Sequence, residues 1–440
     1  MAHFSKRRAL LERIFHLKEN HTTVRQELLG GLTTFMAMAY VVVVNPRILG
    51  EAGMPVEGVL FATCVSAALA TLVMGLWANY PIALAPGMSL NAYFTYSIVL
   101  GRGVPWQTAL GVVLLSGTLF LILTLTNIRE HIVNDIPDAL KHGTAAGIGF
   151  FIAFVGLRNA KIIVANQATF VGLGKSSDPQ VRLAALGLIV IAILMSRKVG
   201  GAILIGIVAI ALLGIPFGLT HVPSHVFSWP HPGGTFLKLD FRSAVKLGLL
   251  ELMFVFFFVD LFDNVGTLVG VCEQGGFLVN GKFPRASRAL LADAFGTMAG
   301  ALTGTSTVTS YIESAAGVAA GARTGLGNVL IAALFIISMF CAPLVAAVPN
   351  YATAPALILV GALMCASLAK IDWNDFTEAF PAFITLVATP LTFSIATGLS
   401  LGLLSYTFIK IGTRKMNQIS PLIWVLSALF LLRFAFLGAE

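Results

Sequence analysis

Three carboxylates stand inside apolar stretches of this chain that are long enough to cross a membrane. Asp260 and Asp263 lie in the run of residues 247–272, and Glu313 lies further on, in a stretch rich in Gly, Ser and Thr. A charged side chain at the centre of a bilayer costs roughly 2.5–3.5 kcal/mol on insertion scales. Acids kept there commonly face a cavity, a substrate or a proton path, so these residues are the predicted centre of the functional site.

Their spacing favours function over a buried ion pair. Asp260 and Asp263 are three residues apart, which places them on one face of a helix, about one turn from each other. Lys and Arg occur only at the ends of the apolar stretches, so neither acid has a basic partner within a predicted span. Glu313 follows Ser310 and Tyr311, whose hydroxyl groups could satisfy a carboxylate or bind a polar ligand.

A second polar segment carries Ser89 and Asn91 in the sequence LAPGMSLNAYF, residues 84–94. Aligned by similarity with residues 304–314, this segment places Asn91 opposite Glu313. Asn91 is therefore a candidate for binding a substrate, although a single Asn in a span can also simply hydrogen-bond a neighbouring helix. Both interpretations are open from the sequence.

The composition is that of a polytopic membrane protein. Of the 440 residues, 57% are hydrophobic and only 11% are charged, whereas soluble domains carry about 25% charged residues. The net charge of +8 comes from basic residues clustered between apolar segments, which the positive-inside rule explains without a nucleic acid. Four cysteines without a CxxC pair indicate neither a metal site nor a disulfide. The chain has no HExxH, GxSxG or P-loop motif, so we predict neither an enzyme nor a cofactor.

The chain contains fourteen apolar segments that approach the roughly 20 residues a membrane-spanning helix needs. The predicted spans are 28–47, 57–77, 81–100, 106–127, 138–159, 181–197, 201–218, 247–271, 286–303, 305–321, 326–347, 351–369, 376–394 and 396–412. The segment 421–437 is short and contains Arg433, so we interpret it as interfacial or packed against the bundle, with a fifteenth span left open. The distribution of Lys and Arg predicts that both termini are cytoplasmic.

The chain also contains a weak internal repeat. The segment starting at Ile136 resembles the segment starting at Val348, and the order of matching spans is the same in both halves. Seven spans per half is an odd number, so the halves must be inverted relative to each other, as in many secondary transporters. In the spans 81–100 and 305–321, a short extended segment precedes a helix N-terminus. Extended backbone in a membrane needs hydrogen-bond partners, so we predict that the two segments pair antiparallel and that the helix N-termini point at the site.

Five pieces of the sequence, spread over nearly the whole chain, carry a resemblance to a known family. They are GLTTFMAMAYVVVVNPRIL (31–49), LAPGMSLNAYF (84–94), FVDLFDNVGTLVGV (258–271), TSTVTSYIESAAGVAAGARTGL (305–326) and VPNYATAPALILVGALM (348–364). With these pieces, the sequence resembles the nucleobase–cation symporters of the nucleobase–ascorbate type, and among them the AzgA-like purine permeases.

The resemblance implies an all-α membrane fold of fourteen transmembrane helices in a seven-plus-seven inverted repeat. It implies alternating access by movement of a core domain against a gate domain, in a family that is often dimeric. Carried onto this chain, the parts are a cytoplasmic tail (1–27), a core domain (28–127 and 247–347) and a gate domain (128–246 and 348–440, including the C-terminal segment).

The resemblance also implies roles for single residues. By its pattern, Asp260 and Glu313 hold the nucleobase, Asn91 is a further binding residue, and Asp263 is linked to proton coupling. The predicted substrate-binding set is completed by Ser89, Ser310 and Tyr311. Asp263 and Thr267 replace the Glu and His of the uracil and xanthine branches, which argues against uracil. The implied function is proton-coupled import of adenine, guanine or hypoxanthine, and the sequence does not choose among these purines. The short tails and compact loops of the sequence predict a bacterial inner membrane.

Three rival functions follow from other readings of the same acids. An anion transporter or exchanger of the same fold should present a positive field to its substrate, and three acids near the midplane argue against it. An intramembrane aspartyl enzyme would need its two acids on facing helices, whereas here two lie on one helix. A passive channel would conduct the substrate without concentrating it.

Overall fold

The computed structural model describes residues 11–126, 136–245, 250–277 and 284–436, and these residues are mostly helical. Within those ranges, nine helices are long and apolar enough to cross a membrane, and three shorter apolar helices cover 202–213, 376–391 and 421–432. The remaining predicted spans, 81–100, 286–303 and 305–321, are broken by strands or carry charge. The all-α membrane fold is thereby confirmed, and the count of fourteen stays a prediction.

The chain folds into two compact units, each assembled from separate stretches of sequence. Unit 1 comprises the chain up to Asn91, Pro105–Leu125 and Ile189–Pro349; unit 2 comprises Ala92–Val104, Thr126–Leu188 and Asn350 onward. In chain order, the helices and strands are α1 (Val24–Met38), α2 (Val41–Glu51), α3 (Val56–Val73), β1 (Leu84–Pro86), α4 (Met88–Ala92), α5 (Trp106–Leu125), α6 (Asp138–Asn159), β2 (Ile163–Asn166), β3 (Phe170–Leu173), α7 (Pro179–Ser196), α8 (Ala202–Leu213), α9 (Phe241–Ala244), α10 (Leu250–Gly275), α11 (Ala286–Thr303), β4 (Val308–Ser310), α12 (Ser314–Ala319), α13 (Leu326–Ser338), α14 (Ala342–Ala347), α15 (Asn350–Met364), α16 (Phe376–Leu391), α17 (Ile395–Gly412) and α18 (Pro421–Phe436). Short π or 3-10 turns extend several of these helices: Met74–Ala78, Tyr93–Leu100, Met339–Cys341, Cys365–Lys370 and Met416–Gln418.

The two extended segments of unit 1 form an antiparallel pair, as the sequence predicts. Leu84, Ala85 and Pro86 of β1 lie opposite Ser310, Thr309 and Val308 of β4. Two further backbone bonds close the ladder symmetrically, from the Gly87 N–H to the Thr307 carbonyl and from the Tyr311 N–H to the Ala83 carbonyl, each 3.0 Å long. Pairing therefore satisfies backbone groups that lipid could not.

The register of the strand pair is set by its backbone hydrogen bonds, with Ala85 opposite Thr309. An antiparallel ladder has a local two-fold axis at each pair of opposed residues, so this register fits the offset of 222 that sets Asn91 opposite Glu313 as well as an offset of 224. The correspondence of Asn91 with Glu313 stays a prediction. A stretch of alternating Ser and Thr gives sequence similarity too little contrast to fix a register, which the backbone hydrogen bonds decide.

Side chains from neighbouring helices complete the support of β1. The Thr71 hydroxyl donates to the Leu84 carbonyl and accepts from the Leu84 N–H, both at 2.9 Å. The Asn328 amide lies within 3.2 Å of the carbonyls of Thr71, Tyr80 and Ile82. The segment leading into β1 is therefore held by buried polar side chains as well as by its partner strand.

Unit 2 is a helical bundle with a small hairpin. Helix α6 packs against α15 and α16, and α16 packs against α17. Helix α18 packs on α17, where the hydroxyls of Thr407 and Ser427 lie 2.7 Å apart. Strands β2 and β3 pair antiparallel between α6 and α7, with Ile163 opposite Leu173 and Asn166 opposite Phe170.

Candidate functional site

The strand pair of unit 1 places two short helices with polar side chains. Helix α4 follows β1 after a single residue, Gly87, and carries Ser89 and Asn91. Helix α12 follows β4 after Tyr311, Ile312 and Glu313. The antiparallel strands thus lead into two short polar segments, one with Ser89 and Asn91 and the other with Glu313.

Glu313 is half-buried, and its carboxylate accepts a hydrogen bond from the Tyr40 hydroxyl, with Oε1 at 2.8 Å. Tyr40 is 2% exposed and lies at the junction between α1 and α2. Tyr40 stands in the 31–49 piece that carries the family resemblance, but its sequence context does not mark it as a site residue. A charge-assisted bond of this kind fixes the carboxylate and leaves its second oxygen to meet a ligand.

Asp263 on α10 is the second half-buried carboxylate of the site. The Ser89 hydroxyl donates to its Oδ2 at 3.3 Å. Its negative charge interacts electrostatically with the side chains of Glu313, Tyr311 and Tyr40. The charge states of these groups therefore depend on one another. Each half of the strand pair thus contributes one carboxylate–hydroxyl contact, Asp263 with Ser89 and Glu313 with Tyr40.

Asp260 lies in a different environment from Asp263. It is 1% exposed, and its Oδ2 is 3.4 Å from the Thr297 hydroxyl of α11. The same hydroxyl is 3.1 Å from the Val308 carbonyl of β4. A hydroxyl has one proton to donate, so Thr297 serves either the carboxylate or the strand at a given moment.

Asn91 and Ser310 are buried polar groups beside the strand pair. The Asn91 Oδ1 accepts a hydrogen bond from the Ser306 hydroxyl, and its Nδ2 has no partner among the residues that the structure describes. The Ser310 hydroxyl likewise has no partner within the described ranges. Buried polar groups are usually hydrogen-bonded, so both atoms are suited to contact a bound molecule.

Tyr311 has a structural contact of its own. Its hydroxyl donates to the Pro86 carbonyl of β1, in addition to the backbone bond from its N–H to Ala83. The phenol therefore ties β4 to β1, and the ring is the part of Tyr311 left to contact a ligand. Its predicted substrate-binding role stays a prediction.

Four residues that were not predicted from the sequence lie at or near these contacts: Tyr40, Asn264, Thr297 and Ser306. Asn264 directly follows Asp263, is fully buried, and its amide has no partner in the described part of the chain. A polar residue in an apolar span was the signal that could have found Asn264. Thr297 and Ser306 carry no such signal, because a single hydroxyl in a span commonly bonds its own helix backbone.

A metal site is not indicated at these residues. Within the described ranges, no group of three or more His, Cys, Asp or Glu side chains could hold a metal ion. The side chains of the site are instead carboxylates, hydroxyls and an amide, which are the groups that hydrogen-bond a neutral polar molecule.

Comparison with known proteins identifies what the chain resembles. A family model described as a permease family matches residues 25–401. The adenine permease AdeP of Escherichia coli is 44% identical over 432 residues, covering 98% of this chain and 97% of that protein. The guanine/hypoxanthine permease PbuO of Bacillus subtilis is 45% identical over 428 residues, covering 96% and 99%.

Solved structures share the fold. The transmembrane domain of a cyanobacterial bicarbonate transporter, BicA, matches with a TM-score of 0.62 at 17% sequence identity, covering 85% of this chain and 97% of that one. At this identity the match concerns the fold alone. The bound anion of such a transporter says nothing about what this chain carries.

Proposed function

We propose a substrate and a mechanism from one premise: this chain belongs to the nucleobase–ascorbate transporter family, so it is an integral membrane transporter and not an enzyme. The proposed activity is import of purine nucleobases, adenine, guanine or hypoxanthine, coupled to protons and carried out by alternating access. The relatives named for adenine and for guanine/hypoxanthine are 44% and 45% identical, so overall identity favours neither substrate.

The observation that carries the proposal is the pair of half-buried carboxylates, Asp263 and Glu313, each oriented by a hydroxyl. A purine base is flat and neutral, with N–H groups next to acceptor atoms on its edge. Carboxylates accept such N–H groups in charge-assisted hydrogen bonds, which are about twice as strong as neutral ones. The Ser89 and Tyr40 hydroxyls hold the carboxylates in place before the base arrives, which lowers the entropic cost of binding.

Asn91 and Ser310 supply the remaining polar contacts in this proposal. The unpaired Asn91 Nδ2 can donate to an acceptor on the base, and the Ser310 hydroxyl can donate or accept. The Asn91 amide N–H can donate a hydrogen bond to a 6-oxo group as well as to a ring nitrogen. These two side chains therefore hold a purine without choosing between adenine and hypoxanthine.

The family resemblance implies that Asp260 holds the base and that Asp263 is linked to proton coupling. The contacts in the structure favour the reverse assignment of these two roles. Asp263 is the more accessible acid and belongs with Glu313, so it is proposed to contact the base. Asp260 is buried against Thr297, so it is proposed to hold the coupled proton. A protonated Asp260 needs no donor, which frees the Thr297 hydroxyl for the Val308 carbonyl of β4. Protonation of Asp260 would thus alter the connection between α10 and the strand pair.

Alternating access is proposed to move the core domain, residues 28–127 and 247–347, against the gate domain, residues 128–246 and 348–440. The site residues all belong to the first of these. The family resemblance supports this division and a homodimer, and the distribution of Lys and Arg supports cytoplasmic termini.

The test is uptake of radiolabelled adenine and hypoxanthine by cells that lack their own purine permeases, with and without a protonophore. Accumulation of either base that the protonophore abolishes would support proton-coupled import. Absence of uptake, with the protein present in the membrane, would contradict the substrate assignment. Labelled sulfate and bicarbonate in the same cells test the anion-transport alternative, and uptake that equilibrates without accumulation would indicate a channel.

A matched pair of variants tests the two roles. In Asp263→Asn, the Asn side chain has lost the charge that receives a base N–H, so binding of purine should weaken in both exchange and net uptake. In Asp260→Asn, exchange of labelled for unlabelled base should persist while protonophore-sensitive accumulation is lost. The opposite pattern would restore the roles implied by the resemblance.

A further inference from the structure

The hairpin of unit 2 lies at a face of the membrane. Strands β2 and β3 connect α6 to α7, and both helices are long and apolar enough to cross a bilayer. The connection from Asn159 to Pro179 must therefore lie at the membrane surface, at one end of both helices. In the orientation predicted from the charge distribution, this is the external face.

A groove beside the hairpin has a mixed lining. Its volume is about 560 Å³, and its charged lining residues are Lys161, Lys175 and Asp178. Its apolar lining residues are Val164 and Leu173 of the hairpin and Val181 of α7. Ammonium groups beside apolar side chains match a molecule with an anionic head and a hydrocarbon body.

The charge around the groove is positive. Between residues 158 and 182 there are four basic side chains, Arg158, Lys161, Lys175 and Arg182, against one acid, Asp178. Lys161 and Asp178 are 3.9 Å apart, a long ion pair that compensates one lysine in part. The positive-inside rule predicts few lysines in an external loop. Lysines in this loop therefore indicate a local function, such as binding an anion.

The apolar side chains at the groove are open to the surroundings of the protein. Phe170 is 87% exposed and Leu173 is 82% exposed on the hairpin. Only 22% of helix α7 is buried inside the protein, so most of its apolar surface is open to the surroundings of the protein. The groove therefore opens onto the helix along which an acyl chain would lie.

We propose that this groove binds an anionic phospholipid. The headgroup phosphate lies between the ammonium groups of Lys161 and Lys175, and an acyl chain passes Leu173 and Val181 and runs down the lipid-facing side of α7. A free phosphate ion would use the lysines alone and would leave the apolar lining in water. The exposed Leu173 and the exposed helix favour the lipid, and the proposal does not depend on what the protein transports.

The test uses the whole protein in nanodiscs of phosphatidylcholine, with or without phosphatidylglycerol. Native mass spectrometry should show phosphatidylglycerol retained by the wild type, and the thermal unfolding midpoint should rise when that lipid is present. Each lysine near an anionic surface contributes about fivefold in affinity, so Lys161→Gln with Lys175→Gln should bind the lipid roughly 25-fold more weakly. The charge-preserving pair Lys161→Arg with Lys175→Arg should retain it.

Further measurements distinguish a phospholipid from a free phosphate ion and test whether the variants are folded. Inorganic phosphate and glycerol phosphate in phosphatidylcholine nanodiscs should not raise the unfolding midpoint; if they raise it as much as phosphatidylglycerol does, the groove is a site for free anions and the proposal is overturned. Leu173→Ser leaves both lysines in place and should reduce lipid retention. Equal retention of phosphatidylglycerol by wild type and the double Gln variant would also overturn the proposal. As the folding control, the two proteins should have equal unfolding midpoints in phosphatidylcholine alone.

Discussion

Two buried polar clusters of this protein differ in how completely their groups are satisfied. In unit 2, Lys410 is 1% exposed, and its ammonium donates to Glu378 at 2.7 Å, Thr377 at 2.9 Å and Gln418 at 2.7 Å. An ammonium has three N–H groups, so all of them are used. At the strand pair of unit 1, Asn91 Nδ2 and the Ser310 hydroxyl have no partner among the described residues.

The difference indicates what each cluster is for. A saturated buried cluster gains nothing from a ligand, so the Lys410 cluster holds helices α16 and α17 to the segment that leads into α18. A buried cluster with unpaired groups costs stability until something binds, which is the expected condition of a binding site. Substitutions should therefore change stability at the first cluster and substrate affinity at the second.

The largest expected effect is on stability, in Lys410→Met. Removing one partner of a buried ion pair leaves the other charge uncompensated and costs about 3–5 kcal/mol; Glu378 is 25% exposed, which favours the lower end. The loss of stability is measured as a fall in the thermal unfolding midpoint of the purified protein. The double variant Lys410→Met with Glu378→Met should recover most of the loss, and an unchanged midpoint in the single variant would remove the distinction between the two clusters.

The next effect is on transport, in Glu313→Gln. A hydrogen bond to a charged group is worth about 1.5–3 kcal/mol, so the KM for purine uptake should rise by roughly 10- to 150-fold. The unfolding midpoint should stay near that of the wild type, because the amide oxygen still accepts from Tyr40. A variant that unfolds early and transports normally would place Glu313 among the structural residues.

Tyr40→Phe sharpens the same comparison with a smaller change. Loss of the hydroxyl that orients Glu313 should raise KM by about fivefold, the equivalent of about 1 kcal/mol, because the carboxylate that contacts the base is itself retained. Tyr406→Phe is the matched control, since its hydroxyl donates to the Gln418 carbonyl at 3.3 Å in the other cluster. The control should lower the unfolding midpoint slightly and leave KM unchanged.

Ser310→Ala and Thr377→Val form a matched pair of hydroxyl deletions. The Ser310 hydroxyl has no partner in the described residues, so its removal should leave stability unchanged or slightly raised while weakening purine binding by up to about tenfold. Thr377 accepts from Lys410, so its loss should cost about 1 kcal/mol of stability and no affinity. Equal loss of stability in both variants would contradict the difference between the clusters.

The smallest effect concerns pH at the edge of the unit 2 cluster. Hydrogen bonds from the Thr377 side chain and backbone N–H lower the pKa of the Asp375 carboxyl, with Lys415 at 3.6 Å adding to the effect. A carboxyl with a lowered pKa contributes stability above its unfolded pKa of about 4, and that contribution is lost as the pH falls through the folded value. Wild type and Asp375→Asn should therefore differ in unfolding midpoint at pH 7 and converge toward pH 3.

Much of the fold followed from the sequence. Apolar runs of membrane-spanning length indicated the class, and two short extended segments with a need for partners indicated the strand pair that the structure contains. The exact strand register did not follow, because Ser and Thr alternate on both sides of Val308 and several registers look alike. The pairing of Leu84, Ala85 and Pro86 with Ser310, Thr309 and Val308 emerged only from the backbone hydrogen bonds.

The candidate site was predicted in part. Acids in apolar spans stand out from the sequence because their burial is costly, and all three lie near the strand pair or on the helix beside it. Their different environments did not stand out: Asp260 and Asp263 are one turn apart, yet one contacts Thr297 and the other contacts Ser89. Which face of a helix meets which neighbour depends on packing that spacing alone does not determine.

By itself, the sequence determined that this chain is a membrane protein and that its polar chemistry is concentrated in a few interrupted spans, because hydrocarbon penalises every uncompensated charge and every unpaired backbone group. Only the tertiary structure decided which hydroxyl meets which carboxylate. Tyr40 and Glu313 are 273 residues apart in the chain and 2.8 Å apart in space. A contact of that kind depends on how the helices pack, and no local pattern in either segment encodes it.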